Sequence, residues 1–369
     1  MIVETEKIMI ANKTEESSVF RKTEEMGHEQ VVFCHDKQTG LKSIIAIHST
    51  VLGPALGGTR MWSYKSEAEA LKDVLRLSRG MTYKASISGL ELGGGKAVII
   101  GNSRTDKSEA LMRRYGKFIE SLNGNYITAE DVGTCEEDMI HIKKETKHVT
   151  GIPQSMGGSG DPSPVTAYGT FMGIKAAAKE MWGNDNLSGK KISVQGVGNV
   201  GQNLVGYLVK ENAIVSVCDI NNDNLKTITD KYKNVKVVSP ELIYKNPMDI
   251  YSPCALGATV NTETLGQLRC SIIAGAANNQ LENEEIHGLM LLENGILYAP
   301  DFLINAGGLI NVFSEIKGYN RKKAMELTEK IYDSTLDIFS KSKKENISTH
   351  KAALITAQNR INKHQKSDS

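Results

Sequence analysis

The segment Gly196-Val197-Gly198-Asn199-Val200-Gly201 constrains this chain more than any other. It follows an apolar run, Lys191–Gln195, and opens a helical pattern at Val200. A second apolar run then ends in an acid, Asp219, 18 residues beyond Gly201. Strand, tight turn, helix, strand and acid, in that order, are the local requirements of a dinucleotide-binding βαβ unit. The first glycine permits the turn, the second lets backbone approach a pyrophosphate, and the third packs helix on strand. Val197, Asn199, Val200 and Gln202 complete the loop and first helical turn, whose N–H groups and dipole suit phosphate. A glycine turn without a ligand is the alternative reading.

The acid carries further information. A carboxylate at Asp219 accepts hydrogen bonds from both ribose hydroxyls of NAD and repels a 2′-phosphate. The next residues, Ile220-Asn221-Asn222, contain no Arg to neutralise one. NAD is therefore expected over NADP.

Around this unit the pattern is short apolar strands alternating with helices: Ile192–Gln195, Ile214–Asp219, Val235–Val238, Asp249–Tyr251, Ser271–Ala274 and Ile296–Tyr298. Such alternation predicts a doubly wound parallel sheet. Upstream, Gln30–Asp36 and Leu41–His48 read as a hairpin about Lys37–Gly40, and Ala97–Ile100 as a buried strand. Ser66–Glu69 and Thr134–Glu137 read as capping boxes, and Ser108 as the start of a helix. Ser163-Pro164 reads as N-cap and N1 of a helix running to about Trp182. Residues 321–362 read as helical and 1–18 as a frayed, polar end. The expectation is an α/β chain of two domains separated by a cleft. Residues 1–150 form a substrate-binding and oligomerisation domain, and 151–344 a doubly wound Rossmann domain for NAD. The helical stretch from about 345 to 369 is expected to pack back on the first domain. The Gly/Ser/Pro-rich loop Gly151–Pro164 is the candidate hinge.

Composition excludes several classes. With 44 Lys+Arg against 43 Asp+Glu, the chain lacks the basic footprint of a dedicated nucleic-acid binder. Residues 341–369 hold seven Lys/Arg and two Asp/Glu, which reads as a solvated helix and tail or as a binding arm. The five cysteines are widely spaced and form no CxxC, against a disulfide framework or zinc site and in favour of a reducing, cytoplasmic compartment. No metal site is expected. The acidic start, MIVETEKIMI, is unlike a signal peptide, and no apolar run is long enough for a membrane span.

Two lysines lie 12 residues apart in Met81-Thr-Tyr-Lys84 and Gly93-Gly-Gly-Lys96. A nucleotide P-loop needs Gly where Leu90 stands and Ser or Thr where Ala97 stands, so it is excluded. Glycines beside a lysine let backbone crowd a small substrate, and a desolvated ammonium near a second cation becomes a base near neutral pH. Surface lysines are the other reading. Asp131, in Ala129-Glu-Asp-Val-Gly-Thr134, is placed for proton transfer at a strand end, or is a turn residue.

At these segments the chain resembles the glutamate/leucine/phenylalanine/valine dehydrogenase family, nearest its leucine-specific branch. The matching pieces are Gly53-Pro-Ala-Leu-Gly-Gly-Thr-Arg60, Gly80–Lys84, Leu92–Val98, Tyr126–Thr134, Pro162–Gly169, Pro253–Gly257 and Ile304-Asn-Ala-Gly-Gly308, in order from about 25 to 320. The resemblance implies interconversion of an L-amino acid and its 2-oxo acid, with release of ammonia and hydride transfer to nicotinamide. It implies that Lys84 holds the substrate carboxylate, with Gly57, Gly58 and Met81 against the substrate. Lys96 is then the base that activates water, and Asp131 exchanges protons with the amino group. Thr166 and Asn278 orient nicotinamide and substrate, with Asn279 an adjacent candidate. Ala129, Leu309 and Val312 line the side-chain pocket. Closure of the two domains would give the dry cleft that hydride transfer needs. Homo-oligomers are implied, octamers among the leucine enzymes, with no nucleic-acid or membrane partner.

Leu309 departs from that branch, where Val usually follows Asn-Ala-Gly-Gly, and is similar to phenylalanine-specific and cyanobacterial tryptophan-type members. Ala129-Glu130 is similar to the branched-chain group, whereas aromatic-specific relatives carry Gly. Pro153–Gly158 also differs from the usual leucine pattern. The expected substrates are leucine, valine and isoleucine, with an aromatic amino acid as the alternative. A catalytically dead NAD-binding sensor would lack Lys84, Lys96 or Asp131. A hydroxy-acid dehydrogenase usually wants a His–carboxylate pair; no His lies in the glycine-rich segments, and His48 and His141 are candidates from elsewhere in the chain.

Overall fold

The computed structural model describes residues 19–367, so the frayed end expected over 1–18 lies outside the described residues. The described residues divide into two compact units, one of residues 19–85 and 91–152, the other of residues 86–90 and 153–367.

The first unit opens with α1 (Val19–Met26), β1 (Gln30–Asp36), β2 (Leu41–Ser49) and β3 (Ala55–Trp62). Then follow α2 (Glu67–Ile87), β4 (Gly93–Ile100), α3 (Glu109–Glu120), β5 (Tyr126–Glu130) and α4 (Glu136–Lys143). Its five strands lie in the order β1-β2-β4-β3-β5. β1 and β2 form the expected hairpin, β2 runs antiparallel to β4, and β3 is parallel to both β4 and β5.

Each face of this sheet has its own cover, as the period of two along a strand requires. Ile45, Ile47, Ala97 and Ile99 pack with Leu111, Tyr115, Ile119, Met139 and Ile142 of α3 and α4. Ile44, Ala46 and Val98 pack against Ala70, Leu71, Val74 and Leu75 of α2. The side chains of Lys96 and its same-face neighbours therefore emerge on the α2 side.

The second unit contains α5 (Ser163–Trp182), β6 (Lys191–Gln195), α6 (Asn199–Lys210), β7 (Ile214–Cys218), α7 (Asn222–Lys231), β8 (Lys236–Val237) and β9 (Ile250–Pro253). It continues with α8 (Thr262–Gln267), β10 (Ile272–Ile273), α9 (Glu284–Glu293), β11 (Leu297–Tyr298), α10 (Asp301–Ile304) and α11 (Gly307–Ile316). α12 (Arg321–Glu329), α13 (Ile331–Glu345) and α14 (Thr349–Ser367) end it. The six strands are all parallel, in the order β11-β10-β9-β6-β7-β8. The order reverses between β6 and β9, and at such a switch point the ends of the strands leave a crevice for ligand. Residues 86–90, the last two residues of α2 and the turn after it, group with this unit. There the Ser86 hydroxyl donates to the Ala357 carbonyl of α14 (2.7 Å), and Arg360 donates to the Ser86 carbonyl (3.0 Å).

Several local expectations shift. The helix after Asp131 is capped at Cys135, whose N–H donates to Asp138 (2.8 Å), and not at Thr134. Thr134 is occupied elsewhere: its hydroxyl donates to the Thr59 carbonyl (2.9 Å) and accepts from the Asp131 N–H (2.9 Å). α5 starts one residue early, with Pro162 as N-cap and Ser163 already helical.

Candidate active site

β3 is the strand that assembles the first group of predicted residues. Its register places Thr59 opposite Ala97 on one side and Glu130 on the other, and Gly58 opposite Ala129. Lys96, Gly58 and Ala129 consequently share one row on the α2 face, with Arg60 and Asp131 in the next row. Lys96 lies in β4 and not in a glycine loop, and it is 7% exposed.

The absence of a side chain at Gly58 is what lets this row close. A Cβ there would stand 2.4 Å from the Glu130 carbonyl oxygen and 3.0 Å from the Asp131 Cβ. Gly57 is tighter still, since its Cβ would lie 1.7 Å from the Gly95 carbonyl oxygen. The Tyr126 hydroxyl donates to the Gly57 carbonyl (2.6 Å), fixing this backbone from below.

Across that gap the Lys96 ammonium pairs with Asp131 Oδ2. Arg60 lies on the other carboxylate oxygen at 3.8 Å, and the Val132 N–H donates to it (2.6 Å). Burial pushes the Asp131 carboxyl up, but the charges of Lys96 and Arg60 outweigh it and hold the carboxyl below the usual range.

Met81 and Lys84 belong to the last turns of α2. That helix is seated on the glycine strand by Thr82, which a Cβ at Gly94 would meet at 2.1–2.2 Å. Thr82 is in turn held by His48, whose Nδ1 shares a hydrogen bond with its hydroxyl (2.8 Å). His28 does the same for Ser78 one turn earlier (2.7 Å), and the two imidazoles meet edge to face at 4.8 Å. His141 sits instead beside Glu109 (3.8 Å).

The second group lies in the second unit. Gly196 adopts φ +97°, a conformation glycine alone takes readily, directly after β6 at the switch point. A Cβ at Gly201 would lie 2.1 Å from the Gly196 carbonyl oxygen, so helix and turn are in contact. Gly198 is the N-cap of α6, without a side-chain cap, and nothing lies within 4 Å of where its Cβ would be. Asn199, Val200 and Gln202 form the first turn of α6. The Asp219 carboxylate ends β7 and accepts from the Val197 N–H (2.8 Å) and the Asn221 N–H (2.8 Å). A bare helix N-terminus, an open glycine and a carboxylate tied to the turn are what the phosphates and adenosine ribose of a dinucleotide require. The residues present fit NAD.

Thr166, Asn278 and Leu309 are brought together within this unit. A Cβ at Gly308 would touch the Thr166 hydroxyl at 2.8 Å, so α11 begins against α5. Asn305, just before α11, donates to the Asn278 side-chain oxygen (2.8 Å). Leu309 and Val312 follow at helical spacing and are 7% and 8% exposed. Asn279 is distinguished from Asn278 by its backbone. It lies at φ +51°, and its carbonyl accepts from the Ala258 N–H (2.7 Å).

Two participants had no local signal, Asp73 and Tyr64, and Asn305 stood in the Ile304–Gly308 segment without being singled out. Arg60 stands in the Gly-Gly-Thr-Arg segment, yet nothing in spacing alone ties it to Asp131. Among the described residues no cluster of three or more His, Cys, Asp or Glu is placed to hold a metal ion, and no helix is long and apolar enough to cross a membrane.

Comparison with known proteins finds matches along both units. Residues 28–148 match the Glu/Leu/Phe/Val dehydrogenase dimerisation domain, and residues 157–223 and 216–368 match the glutamate/leucine/phenylalanine/valine dehydrogenase domain. Leucine dehydrogenase of Bacillus cereus is 55% identical over 343 residues, 93% of each chain. Phenylalanine dehydrogenase of Thermoactinomyces intermedius is 48% identical over 346 residues, 94% of each chain. The crystal structure of L-tryptophan dehydrogenase from Nostoc punctiforme superposes with a TM-score of 0.83 at 47% identity, covering 94% of this chain and 99% of that one. The chain is an amino-acid dehydrogenase and belongs to the glutamate/leucine/phenylalanine/valine dehydrogenase family.

Proposed function

We propose that the chain catalyses the reversible, NAD-dependent oxidative deamination of branched-chain L-amino acids to 2-oxo acids and ammonia. L-Leucine is the main substrate, and valine and isoleucine are accepted. The observation that carries this reading is the pairing of the buried Lys96 with Asp131 beside the bare backbone of Gly57 and Gly58. A substrate carboxylate held by Lys84 presents its α-carbon to that pair, with Met81 alongside. Asp131 exchanges protons with the amino group. Lys96, once neutral, takes a proton from the water that attacks the iminium carbon. Ammonia leaves as the carbinolamine collapses to the 2-oxo acid.

NAD, when bound, accepts the hydride. Gly196 to Gln202 hold its pyrophosphate, Asp219 its adenosine ribose, and Thr166 and Asn278 orient its nicotinamide. Ala129, Leu309 and Val312 select the substrate side chain. Support for branched-chain substrates comes from the leucine dehydrogenase relatives and from the methyl of Ala129. The match of residues 28–148 to a dimerisation domain supports action as a homo-oligomer, octameric by resemblance, and the widely spaced cysteines without a CxxC support a cytoplasmic setting.

A second reading, oxidation of aromatic L-amino acids, is favoured by Leu309 and by the tryptophan and phenylalanine dehydrogenase relatives. Initial rates of NADH formation across the twenty common L-amino acids test both. Branched-chain substrates should lead. Phenylalanine or tryptophan leading would install the second reading, and no rate with any amino acid would overturn both.

A further inference from the structure

Arg60 occupies an unusual place among the charges of the first unit. Its Nη1 donates to Asp73 Oδ2 of α2 (2.9 Å), while Nη2 lies 3.8 Å from Asp131 Oδ1. The Tyr64 hydroxyl donates to the same Asp73 oxygen (2.7 Å), and Arg76 lies on the other at 3.4 Å. The side chains of Arg60, Asp73 and Asp131 are 23%, 17% and 17% exposed. A file of alternating charge thus runs Lys96, Asp131, Arg60, Asp73, Arg76. Two strands, the loop after β5 and a helix supply it.

We infer that Arg60 is a positioning residue for catalysis: it is the second counter-ion that lets Asp131 stay ionised when Lys96 gives up its proton. The inference rests on the reading of Lys96 as the base.

The argument is electrostatic. A base that starts as an ammonium paired with a carboxylate has to lose a proton to work. If the pair stood alone, that loss would strand a buried carboxylate, which is strongly unfavourable. The pair would instead stay charged, or share one proton between its members. With Arg60 on the other oxygen, the carboxylate keeps a cation after Lys96 becomes neutral. Asp73 and Tyr64 hold the guanidinium in place, so its charge is always present there. Among the described residues, groups from three strands and from its own loop face Asp131. Lys96 comes from β4, Arg60 from β3, Tyr126 from β5, and the Val132 N–H and Thr134 hydroxyl from its own loop. No other cation in this set can replace Arg60.

The test compares Arg60→Met, Arg60→Gln and Arg60→Lys with wild type. With the charge removed, the acid limb of the kcat/KM–pH profile for L-amino-acid oxidation should move up by about one pH unit. The loss at neutral pH should then be roughly tenfold and should be recovered at alkaline pH. Arg60→Lys should leave the limb near its wild-type position. A purely structural role would instead lower activity by the same factor at every pH, and a limb that stays put in both Arg60→Met and Arg60→Gln would overturn the inference. A second readout needs no turnover. Cyanate carbamylates neutral amines, so its rate at Lys96, followed by peptide mass spectrometry at pH 7, should fall several-fold in Arg60→Met and not in Arg60→Lys. An unchanged rate would also overturn the inference. If no amino acid is oxidised by wild type, the proposed function fails while the cyanate experiment still decides on Arg60.

Discussion

Lys96 lies on β4 and Asp131 directly follows β5, two strands that are not hydrogen-bonded to each other, and the pair meets across β3 because Gly58 between them has no side chain. The pair is therefore a product of sheet order, in which β3 lies between β4 and β5. A methyl at position 58 would press on the Glu130 carbonyl and the Asp131 Cβ and move the carboxylate away from its ammonium.

Removing the ammonium should stop the chemistry and spare cofactor binding. Lys96→Ala is expected to lower kcat by roughly 10²–10⁴, the usual scale for a lost acid–base group. NADH affinity, measured by fluorescence titration, should stay within a few-fold, because the phosphate loop lies in the other unit. Wild-type kcat in this variant would remove Lys96 from the mechanism.

Cofactor choice should respond to Asp219 and its exposed neighbour. Ile220 is 92% exposed, whereas Asn221 caps α7 by accepting from the Asp223 N–H (2.9 Å). Ile220→Arg is thus the basic substitution that leaves a cap intact. Combined with Asp219→Ser it should shift the ratio of kcat/KM for NADP over NAD upward by at least tenfold. Activity with NAD should also fall, since the Val197 and Asn221 N–H groups lose their acceptor. Equal use of both cofactors by wild type would refute the ribose argument.

Side-chain preference should turn on Leu309. Relative to Val, Leu adds one methylene to the pocket wall, and one methylene is worth about 1–3 kcal/mol of discrimination, or roughly 10–200-fold. Valine should be used relatively better here than by a Val-bearing relative, and Leu309→Val should return the balance toward leucine. Phenylalanine should remain poor while the Ala129 methyl is present. The kcat/KM values for valine, leucine and phenylalanine in both proteins decide this. An unchanged valine-to-leucine ratio would take Leu309 out of the pocket.

The imidazole pair behind α2 predicts acid sensitivity. Burial first, then the charge of the other imidazole, lowers His28 to about 4. Burial, then Arg79, lowers His48 to about 4. A histidine held below its unfolded value of about 6.5 lets the unfolded chain bind more protons in between. The stability this linkage governs is fully present above about pH 6.5 and is lost as the pH falls toward about 4. Thermal melting temperatures at about pH 7 and pH 5 should therefore differ more for wild type than for the double variant His28→Gln, His48→Gln. Equal drops would show that neither ring is kept neutral by the fold.

The two halves of the site were unequally legible in the sequence. The cofactor turn is local: strand, glycines, helix and acid follow one another in the chain, so their pattern carries the geometry. The substrate half is not. Gly93-Gly-Gly reads as a loop because glycine is a poor strand former. The structure makes these residues the start of β4 because Tyr126, Thr82 and the Ser49 carbonyl leave no room for side chains. For the same reason β3 escapes notice behind its Gly-Gly pair. The displaced cap at Cys135 has a tertiary cause as well, since Thr134 is drawn to the Thr59 carbonyl of another strand. The lysines and Asp131 were recognised by resemblance, whereas their spacing alone left a surface role open. The Arg60–Asp73 contact joins a strand to a helix and leaves no periodic trace.

The bare backbone at Gly57, Gly93, Gly94 and Gly95 also sets the routes by which this protein can change. Any side chain at these four positions would collide with main chain, or with the Tyr126 ring at 2.7 Å. That floor is closed to stepwise mutation, and so is the reaction it supports. On the proposed function, variation in substrate should enter through Ala129, Leu309 and Val312, the positions proposed to select the side chain. A library built to alter the amino acid accepted belongs at those three positions, and chemistry should persist through it while specificity drifts.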